Sequence, residues 1–322
     1  MTRLKCSLAC CAYDRTRAIF DGRVEIEGCE VTAVPLEPEE SFHRANNYQQ
    51  FDITEQSFST HSILTSEGTN PYVAIAVFVS RVFRHSGIYV RTDRGIDSPS
   101  DLHGRVVGLP DYSMTANVWI RGMLQDDHSV RLSEIQWRQS AAGRRLPQFP
   151  SHIEIQSAAK DRDLSDMLAA GEIDAYFSAR VPACFRSRHE KVARMFPDYR
   201  QAERDYFRRT RIFPTMHVIA IRRSMAEAHP WLPVSVFKAF AEAKRRSLEE
   251  LAEIGFLYTT LPWSVAERED TVALMGEDYW PYGVGPNIHT IKTFLRYHHE
   301  QGLSAKLLSP QDLFAPQTLE LT

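Results

Sequence analysis

The stretch YVAIAVFV at Tyr72–Val79 is the clearest indication of how this chain folds. The run is almost wholly apolar, as expected for a strand that neighbouring elements cover on both faces, and such strands are typical of parallel sheets flanked by helices. The alternation of strand and helix patterns before it predicts an α/β fold with parallel strand pairing. The strand patterns are Leu4–Ala12, Glu30–Leu36 and Phe51–Phe58, and the helical patterns between them are Thr16–Phe20 and Ser41–Gln50.

The rest of the chain continues this alternation. A helix is expected to begin near Ser113 and to run to about Leu124, and another at Asp163–Ala170 is followed by Gly171, a typical C-cap residue. The segment Ala141–Ser151, with one glycine and two prolines, predicts a loop. Further strands are predicted at Ser86–Arg91, Arg105–Leu109, Ile135–Arg138, Ile153–Gln156, Ile173–Phe177 and His217–Ile221, and further helices at Pro230–Leu251 and Ile288–His299.

Length and composition favour a globular protein with two domains or one large domain: 322 residues, 43% hydrophobic and 25% charged. No apolar run approaches the ~20 residues that span a bilayer, so no membrane association is expected. The apolar run Cys6–Ala12 ends at once in a polar segment, which argues against a secretory signal and favours a cytoplasmic location.

The segment 179–223 is basic, with twelve Lys or Arg against four Asp or Glu. Such a patch can bind nucleic acid, but the net charge is −3 and no nucleic-acid motif is present. A solvated basic face, or a field that attracts a small anionic substrate, is therefore favoured, and no nucleic-acid partner is expected.

The motifs of common enzyme classes are missing. The sequence has no Walker A loop, no HExxH and no GxSxG, and Gly283-Val284-Gly285-Pro286 does not follow a strand as a dinucleotide fingerprint should. The five cysteines lack zinc-ribbon spacing, which favours reduced, partly buried thiols over a metal site on the run Cys6, Cys10 and Cys11. No cofactor and no metal ligand set are expected, and assistance by a divalent metal is left open.

Several blocks, spread from residue 13 to about residue 303, resemble the 4,5-dihydroxyphthalate decarboxylase family. They are YDRTR at 13–17 with DGRV at 21–24, FVSRVFRH at 78–85, GLPDYSMTA at 108–116, GEIDA at 171–175, IFPTMHV at 212–218 and MGEDYWPYG at 275–283. The resemblance implies a type II periplasmic-binding-protein-like fold, with two α/β lobes and a ligand cleft between them. Lobe one is then expected at 1–92 plus 214–322 and lobe two, inserted, at 93–213.

Side chains that follow the predicted strands are the candidates for a ligand site, because open parallel sheets bind ligands outside the carboxyl ends of their strands. Each has a structural alternative, such as a surface arginine, a helix cap or a core aromatic. The candidates are Tyr13, Asp14 and Arg15 after the first strand; Glu55, Ser57 and Ser59 at the third; Arg81, Arg84 and His85 after Tyr72–Val79; Ser113 and Thr115 at a strand-to-helix junction; Ser178 and Arg180; His217; and Trp280 and Tyr282.

The favoured function is cofactor-independent decarboxylation of a hydroxylated aromatic dicarboxylate, by resemblance 4,5-dihydroxyphthalate to protocatechuate. The site would need a proton donor, a partner for the phenol and cations for the retained carboxylate. His217 or His85 would be the donor, and Glu55 would pair with or deprotonate the phenol. Arg15, Arg81, Arg84 and Arg180, with the helix start at Thr115, would hold carboxylates, because the guanidinium fork matches them.

Two other functions stay open. A solute-binding protein for an aromatic carboxylate would have the same fold, but such proteins are usually exported and this sequence has no convincing signal. A dehydratase of a cyclic carboxylic acid is a third hypothesis. The expected partners are a small aromatic dicarboxylate and further copies of the chain in a homo-oligomer.

Overall fold

The computed structural model describes residues 2–143 and 153–322, which fold into two compact units. The first contains the chain up to Arg81 with Thr215–Lys292 and Leu308–Thr322, and the second contains Val82–Pro214 and Thr293–Leu307. The division differs from the expected lobes, which placed residues 82–92, 214 and 293–307 with the first. Residues 88–91 belong to the second unit because they form a strand of its sheet.

Both units mix helices and strands, which confirms the predicted α/β class. The strands in chain order are β1 (Leu4–Cys10), β2 (Cys29–Pro35), β3 (Ile53–Ser57), β4 (Tyr72–Arg81), β5 (Ile88–Arg91), β6 (Val106–Leu109), β7 (Gln136–Gln139), β8 (Ile155–Ser157), β9 (Ala175–Phe177), β10 (Val192–Arg194) and β11 (Thr215–Arg222). The helices are α1 (Asp14–Phe20), α2 (Pro38–Tyr48), α3 (Phe58–Ser66), α4 (Thr115–His128), α5 (Leu164–Ala170), α6 (Ala183–Arg186), α7 (Tyr199–Thr210), α8 (Arg223–Ala228), α9 (Leu232–Ala252), α10 (Ser264–Met275), α11 (Ile288–Glu300) and α12 (Pro310–Leu313).

The sheet of the first unit has the strand order β2-β1-β3-β11-β4. Strand β1 pairs in parallel with β2 and β3, as predicted, whereas β11 is antiparallel to both β3 and β4. Purely parallel pairing was therefore wrong for this strand. Because β11 runs the other way, its first residues lie at the same edge of the sheet as the carboxyl ends of β3 and β4.

Strand β4 shows why this sheet forms where it does. All of its residues are buried, in agreement with the uninterrupted apolar run in the sequence. Its alternate residues Val73, Ile75 and Val77 pack in one core cluster with Phe237 and Phe240 of α9. Burying each such side chain contributes about 1.5–3 kcal/mol, so the helix is held to the sheet by apolar contact.

The sheet of the second unit has the order β10-β5-β9-β6-β7-β8. Its strands β9, β6, β7 and β8 are parallel to one another, and β5 pairs antiparallel with β9 and β10. The predicted helix at Asp163–Ala170 is confirmed as α5: Asp163 caps its start, and Gly171, at φ +77°, ends it. Of the predicted loop Ala141–Ser151, Ala141–Gly143 form a turn and residues 144–151 lie outside the described residues.

Two further expectations concern cysteines and membranes. All five cysteines are free, and all except Cys11 are buried, as predicted. None of the described helices combines the length and hydropathy required of a bilayer span.

Candidate active site

Polar side chains from three strands meet at one edge of the first sheet. Strand β1 ends at Cys10 and leads into Tyr13, strand β3 ends just after Glu55, and strand β11 begins just before His217. In the β3–β11 ladder His217 lies opposite Ser57. The antiparallel entry of β11 therefore brings a histidine to the edge where the parallel strands end, which is where ligands bind in sheets of this kind.

Glu55 is the centre of this group. It is fully buried, and both of its carboxylate oxygens accept hydrogen bonds. Oε1 accepts from the Tyr13 hydroxyl at 2.8 Å and from Nδ1 of His217 at 2.6 Å, and Oε2 accepts from the Cys11 backbone N–H at 2.9 Å. Buried charge is tolerated only when it is paired and hydrogen-bonded, and this carboxylate has three donors.

Opposing effects act on the ionisation of Glu55. Burial alone raises its pKa, but the hydrogen bond and charge of His217, with the donors Cys11 and Tyr13, hold the pKa below its ordinary value. The same surroundings raise the pKa of the Tyr13 hydroxyl, through burial first and the Glu55 carboxylate second. At neutral pH Glu55 is therefore an anion and Tyr13 is a neutral donor.

The imidazole of His217 is oriented by two contacts. Since an ionised carboxylate only accepts, Nδ1 carries the proton shared with Glu55, and the ring of Phe42 packs edge-on at 4.9 Å between centroids. The His217 side chain keeps 18% exposure, in contrast to the fully buried Glu55. No described residue hydrogen-bonds Nε2, so this nitrogen is available to a ligand.

The backbone at His217 is irregular. Its pairing with β4 shifts register on both sides, between Thr215 and His217 and between His217 and Ile219. Bulges of this kind are common beside active sites, where they redirect a side chain. The irregularity thus coincides with the residue that we predicted to be a proton donor.

Arg15 places a cation beside Tyr13 of this group. Its guanidinium lies between two aromatic rings, 4.1 Å from the centroid of Tyr13 and 4.2 Å from that of Trp280. Its Nε donates to the Val79 carbonyl at 2.6 Å and Nη1 to Asp14 at 3.0 Å. The planar group is therefore fixed in position. No described residue hydrogen-bonds its Nη2, so this nitrogen can donate to a ligand.

Trp280 and Tyr282 lie on the segment that covers Arg15. The Trp280 indole donates to the Phe78 carbonyl at 2.8 Å, which fixes its ring against the guanidinium. Tyr282 is buried, and no described residue hydrogen-bonds its hydroxyl. Burial raises the pKa of this phenol, while the charges of Arg15 and Arg81 act in the opposite direction. Among the described residues this neutral phenol is therefore a hydrogen-bond donor that the protein itself leaves unused.

Arg81 and Ser57 have structural partners. Arg81 is buried, and its Nη2 donates to the Pro281 carbonyl at 2.8 Å and to the Asn287 side chain. Burial lowers the pKa of Arg81 to about 9. Its contacts hold the Pro281 segment beside Arg15, so its geometry favours positioning over direct substrate binding. The Ser57 hydroxyl caps α3 by accepting from the Thr60 N–H at 3.4 Å.

The other predicted residues belong to the second unit. His85 is buried between Phe196 and Tyr206, and burial with the charges of His128 and Arg209 lowers its pKa to about 4. A histidine that is neutral at pH 7 is a weak acid, so His85 fits the donor role poorly. Burial likewise lowers the pKa of Arg84 to about 10.

Three more candidates lie in the same unit. Ser113 is buried, and its hydroxyl donates to Asp111 at 2.6 Å. Thr115 is the buried first residue of α4. Arg180 is exposed, with its backbone N–H bonded to the Ser178 hydroxyl.

Some contributors had no signal in the sequence. The Cys11 backbone donor, the Phe42 ring on α2 and the Asn287 amide act only through tertiary contacts. Tyr13 was selected by its place after β1, but its bond to Glu55 was not foreseen. No group of three or more His, Cys, Asp or Glu placed to hold a metal ion occurs in the parts of the chain that the structure describes.

Comparison with solved structures shows the fold. The chain resembles the periplasmic aliphatic sulphonate binding protein SsuA of Escherichia coli (TM-score 0.56, 13% identity, 99% of each chain). It also resembles a putative sulfonate-binding SsuA of Methylobacillus flagellatus (TM-score 0.59, 16% identity, 98% of this chain and 92% of that one). These likenesses confirm the two-lobed binding-protein fold class.

Comparison with curated proteins shows the family, although no family model matches the chain. The chain is 40% identical over 328 residues to the 4,5-dihydroxyphthalate decarboxylase of Comamonas testosteroni, covering 99% of each. It is also 40% identical over 214 residues to that of Pseudomonas putida, covering 65% of this chain and 83% of the relative. The expected resemblance is therefore confirmed, and the chain belongs to the 4,5-dihydroxyphthalate decarboxylase family.

Proposed function

We propose that this chain is a carboxy-lyase that converts 4,5-dihydroxyphthalate to protocatechuate and CO2 in phthalate degradation. The observation that carries the proposal is the hydrogen-bonded pair of Glu55 and His217 beside Arg15, in a chain 40% identical to decarboxylases. In the proposed reaction the His217 imidazole, oriented by Glu55, is the proton donor. The Arg15 guanidinium, fixed between two aromatic rings, is the cation that binds the aromatic acid.

The chemistry requires one proton. Each hydroxyl of 4,5-dihydroxyphthalate is para to a carboxylate and can push electrons into the ring. His217 donates its Nε2 proton to the ring carbon that bears the leaving carboxylate. The bond to that carboxylate then breaks, its electrons restore the aromatic ring, and CO2 departs. Glu55 keeps its bond to Nδ1 throughout and stabilises the charged imidazole before transfer.

Glu55 acts in this scheme through His217. The sequence predicts that Glu55 pairs with or deprotonates the phenol, but Glu55 is fully buried and both of its oxygens accept hydrogen bonds from protein donors. The Tyr13 hydroxyl donates its proton to Glu55 at 2.8 Å, and the lone pairs on its oxygen can accept from a substrate hydroxyl. Tyr13 is therefore the better candidate for the phenol partner.

Arg15 and Tyr282 are our candidates for the retained carboxylate. A guanidinium fixed between two rings loses little conformational freedom when it binds an anion. The Tyr282 hydroxyl adds a neutral donor, and the aromatic faces of Tyr13 and Trp280 flank the cation. Arg84, Ser113, Thr115 and Arg180 remain predictions for the second unit.

Solute binding without catalysis is the alternative. The solute-binding neighbours are only 13–16% identical, which supports a shared fold and no more. A binding protein needs no buried Glu–His pair, and the curated relatives named above are decarboxylases. A cytoplasmic location, a homo-oligomeric state and the lack of a cofactor stay predictions.

A panel of ring acids tests the proposed function. Purified protein is incubated with 4,5-dihydroxyphthalate, phthalate and protocatechuate, and CO2 release and binding heat are measured without added metal. We expect CO2 from the first only, since phthalate lacks the para hydroxyl and protocatechuate lacks the second carboxylate. Binding of 4,5-dihydroxyphthalate without CO2 release would favour the solute-binding alternative.

Tyr282→Phe tests the carboxylate site. We expect KM for 4,5-dihydroxyphthalate to rise about 10–150-fold, the loss of one hydrogen bond to a charged group. The free energy of unfolding should stay the same or increase, because the variant removes a buried hydroxyl that has no partner among the described residues. The measurements are steady-state kinetics and urea unfolding.

Tyr72→Phe is the matched control. Tyr72 is equally buried in the same unit, but its hydroxyl donates to the Phe51 carbonyl at 2.8 Å. Its loss should lower the free energy of unfolding by about 0.5–1.5 kcal/mol and leave KM unchanged. If Tyr282→Phe behaves like Tyr72→Phe, the Tyr282 hydroxyl has a structural role and does not bind substrate.

A further inference from the structure

A ten-residue segment between α9 and α10 exposes large apolar side chains to an unusual degree. We call residues 254–263, with the sequence IGFLYTTLPW, the apolar segment. Six of its side chains have exposures between 46% and 76%: Ile254, Phe256, Leu257, Tyr258, Leu261 and Trp263. Scattered exposed apolar residues are ordinary, but a contiguous group marks an interaction surface.

The contacts of the apolar segment are local. The rings of Phe256 and Tyr258 lie 5.2 Å apart, and the Gly255 N–H donates to Glu253 at 2.6 Å. The Leu261 N–H donates to the Thr259 hydroxyl, and the Ser264 N–H at the start of α10 donates to the Leu261 carbonyl. These bonds shape the segment and leave its large side chains outward.

The composition of the segment indicates the kind of partner. It contains no charged residue and three different aromatic types, which is typical of the centre of a protein–protein interface. The flanking helices carry both signs, with Arg245, Glu249 and Arg268 among them. A membrane-binding surface would instead need a predominantly basic rim to attract anionic lipid.

The exposed area fits a contact between two copies. Phe256, Tyr258 and Trp263 each bury roughly 150–250 Å² when covered fully. At their exposures of 54–73%, the three side chains together expose roughly 350 Å² to solvent. The three aliphatic side chains add roughly 150 Å², which gives about 500 Å² for one chain and about 1,000 Å² for a symmetric pair. This is the minimum expected of a specific interface, and the charged flanks would add to it.

We propose that the apolar segment is the contact through which two copies of this chain associate, related by a two-fold axis. A two-fold interface presents the same patch from each copy, so an uncharged apolar surface is complementary to itself. Phe256 and Trp263 are the central contacts, because large aromatic residues dominate the energy of such interfaces. This proposal is independent of the proposed function.

The double variant Phe256→Glu, Trp263→Glu tests the contact. Light scattering after gel filtration at micromolar concentration measures the mass of the full chain and of the variant. We expect an oligomer for the wild type and the single-chain mass of 36.9 kDa for the variant. Both positions are more than half exposed in one chain, so the variant should keep the wild-type circular dichroism spectrum and melt cooperatively.

Tyr48→Glu is the control, because Tyr48 is 67% exposed at the end of α2, outside the segment. It should keep the wild-type mass. A wild type that stays at 36.9 kDa, or a double variant that keeps the oligomeric mass, would overturn the proposal. A membrane contact would be indicated instead if both proteins have the same mass in solution and only the wild type sediments with phosphatidylglycerol vesicles. That result would also overturn the proposal.

Discussion

Replacing His217 with asparagine is expected to lower kcat for CO2 release by about 10²–10⁴-fold, the usual contribution of general acid catalysis. Asparagine keeps a polar side chain at this place but has no proton to give to the ring carbon. KM should change much less, because Arg15 and Tyr282, which we assign to the retained carboxylate, stay in place. Steady-state kinetics with 4,5-dihydroxyphthalate measures both.

His43→Asn is the control for this variant. His43 is exposed on α2 in the same unit, and its ring contacts Tyr48. It should retain wild-type kinetics. A structural role for His217 would instead lower the melting temperature and harm kcat and KM together. A folded His217→Asn protein with wild-type turnover would remove His217 from the reaction.

The positions of most strands along the chain were predictable, because their burial is reflected in apolar sequence patterns. Strand β4 is apolar throughout and buried throughout. Helix α3 was missed, and the predicted strand Phe51–Phe58 extended one residue into it, because the buried positions of this helix are not marked by apolar residues. It buries the polar residues Ser59, His61 and Ser62 together with Phe58 and Ile63, so the sequence has no apolar stripe at helical spacing.

The direction of β11 could not be predicted from its own residues. The alternation of strand and helix patterns favours parallel pairing, but β11 follows the whole inserted segment and re-enters the sheet between β3 and β4. Its direction depends on where the preceding 133 residues, Val82–Pro214, bring the chain back. That is a property of the tertiary fold and leaves no local pattern.

The place of the candidate site was predictable, but the role of each side chain was not. The rule of strand ends selected Arg15, Glu55 and Arg81, and the structure places all three toward one edge of the first sheet. Which arginine has a donor left for a ligand depends on its tertiary contacts. Arg81 donates to the Pro281 carbonyl, 200 positions further on, whereas Arg15 is stacked between two aromatic rings. Glu55 and His217 are likewise far apart in sequence, so their pairing appears only in the fold.

Replacing Glu55 with glutamine is expected to impair both folding and turnover. The amide is similar in size, but it puts an NH2 group against at least one of the donors Tyr13, Cys11 and His217. A buried group left without a partner costs about 1–3 kcal/mol in the free energy of unfolding. Without the carboxylate the charged form of His217 loses its counterion, and kcat should fall toward the about 10²–10⁴-fold loss expected for His217→Asn.

The pH dependence of stability separates an ionised Glu55 from a merely well-packed one. Because the folded chain holds the pKa of Glu55 below its ordinary value, the folded state binds fewer protons than the unfolded state in acid. The stability that Glu55 contributes is therefore present above about pH 4.3, the ordinary value for glutamate, and is lost as the pH falls through the lower, folded pKa. Urea unfolding at pH 7 and in acid should show the gap between wild type and Glu55→Gln narrowing as the pH falls, whereas Glu30→Gln, at an exposed position on β2, should show no gap at pH 7. A gap that stays constant with pH would mean that Glu55 acts through its shape alone, and the charge-based role of the Glu55–His217 pair would have to be abandoned.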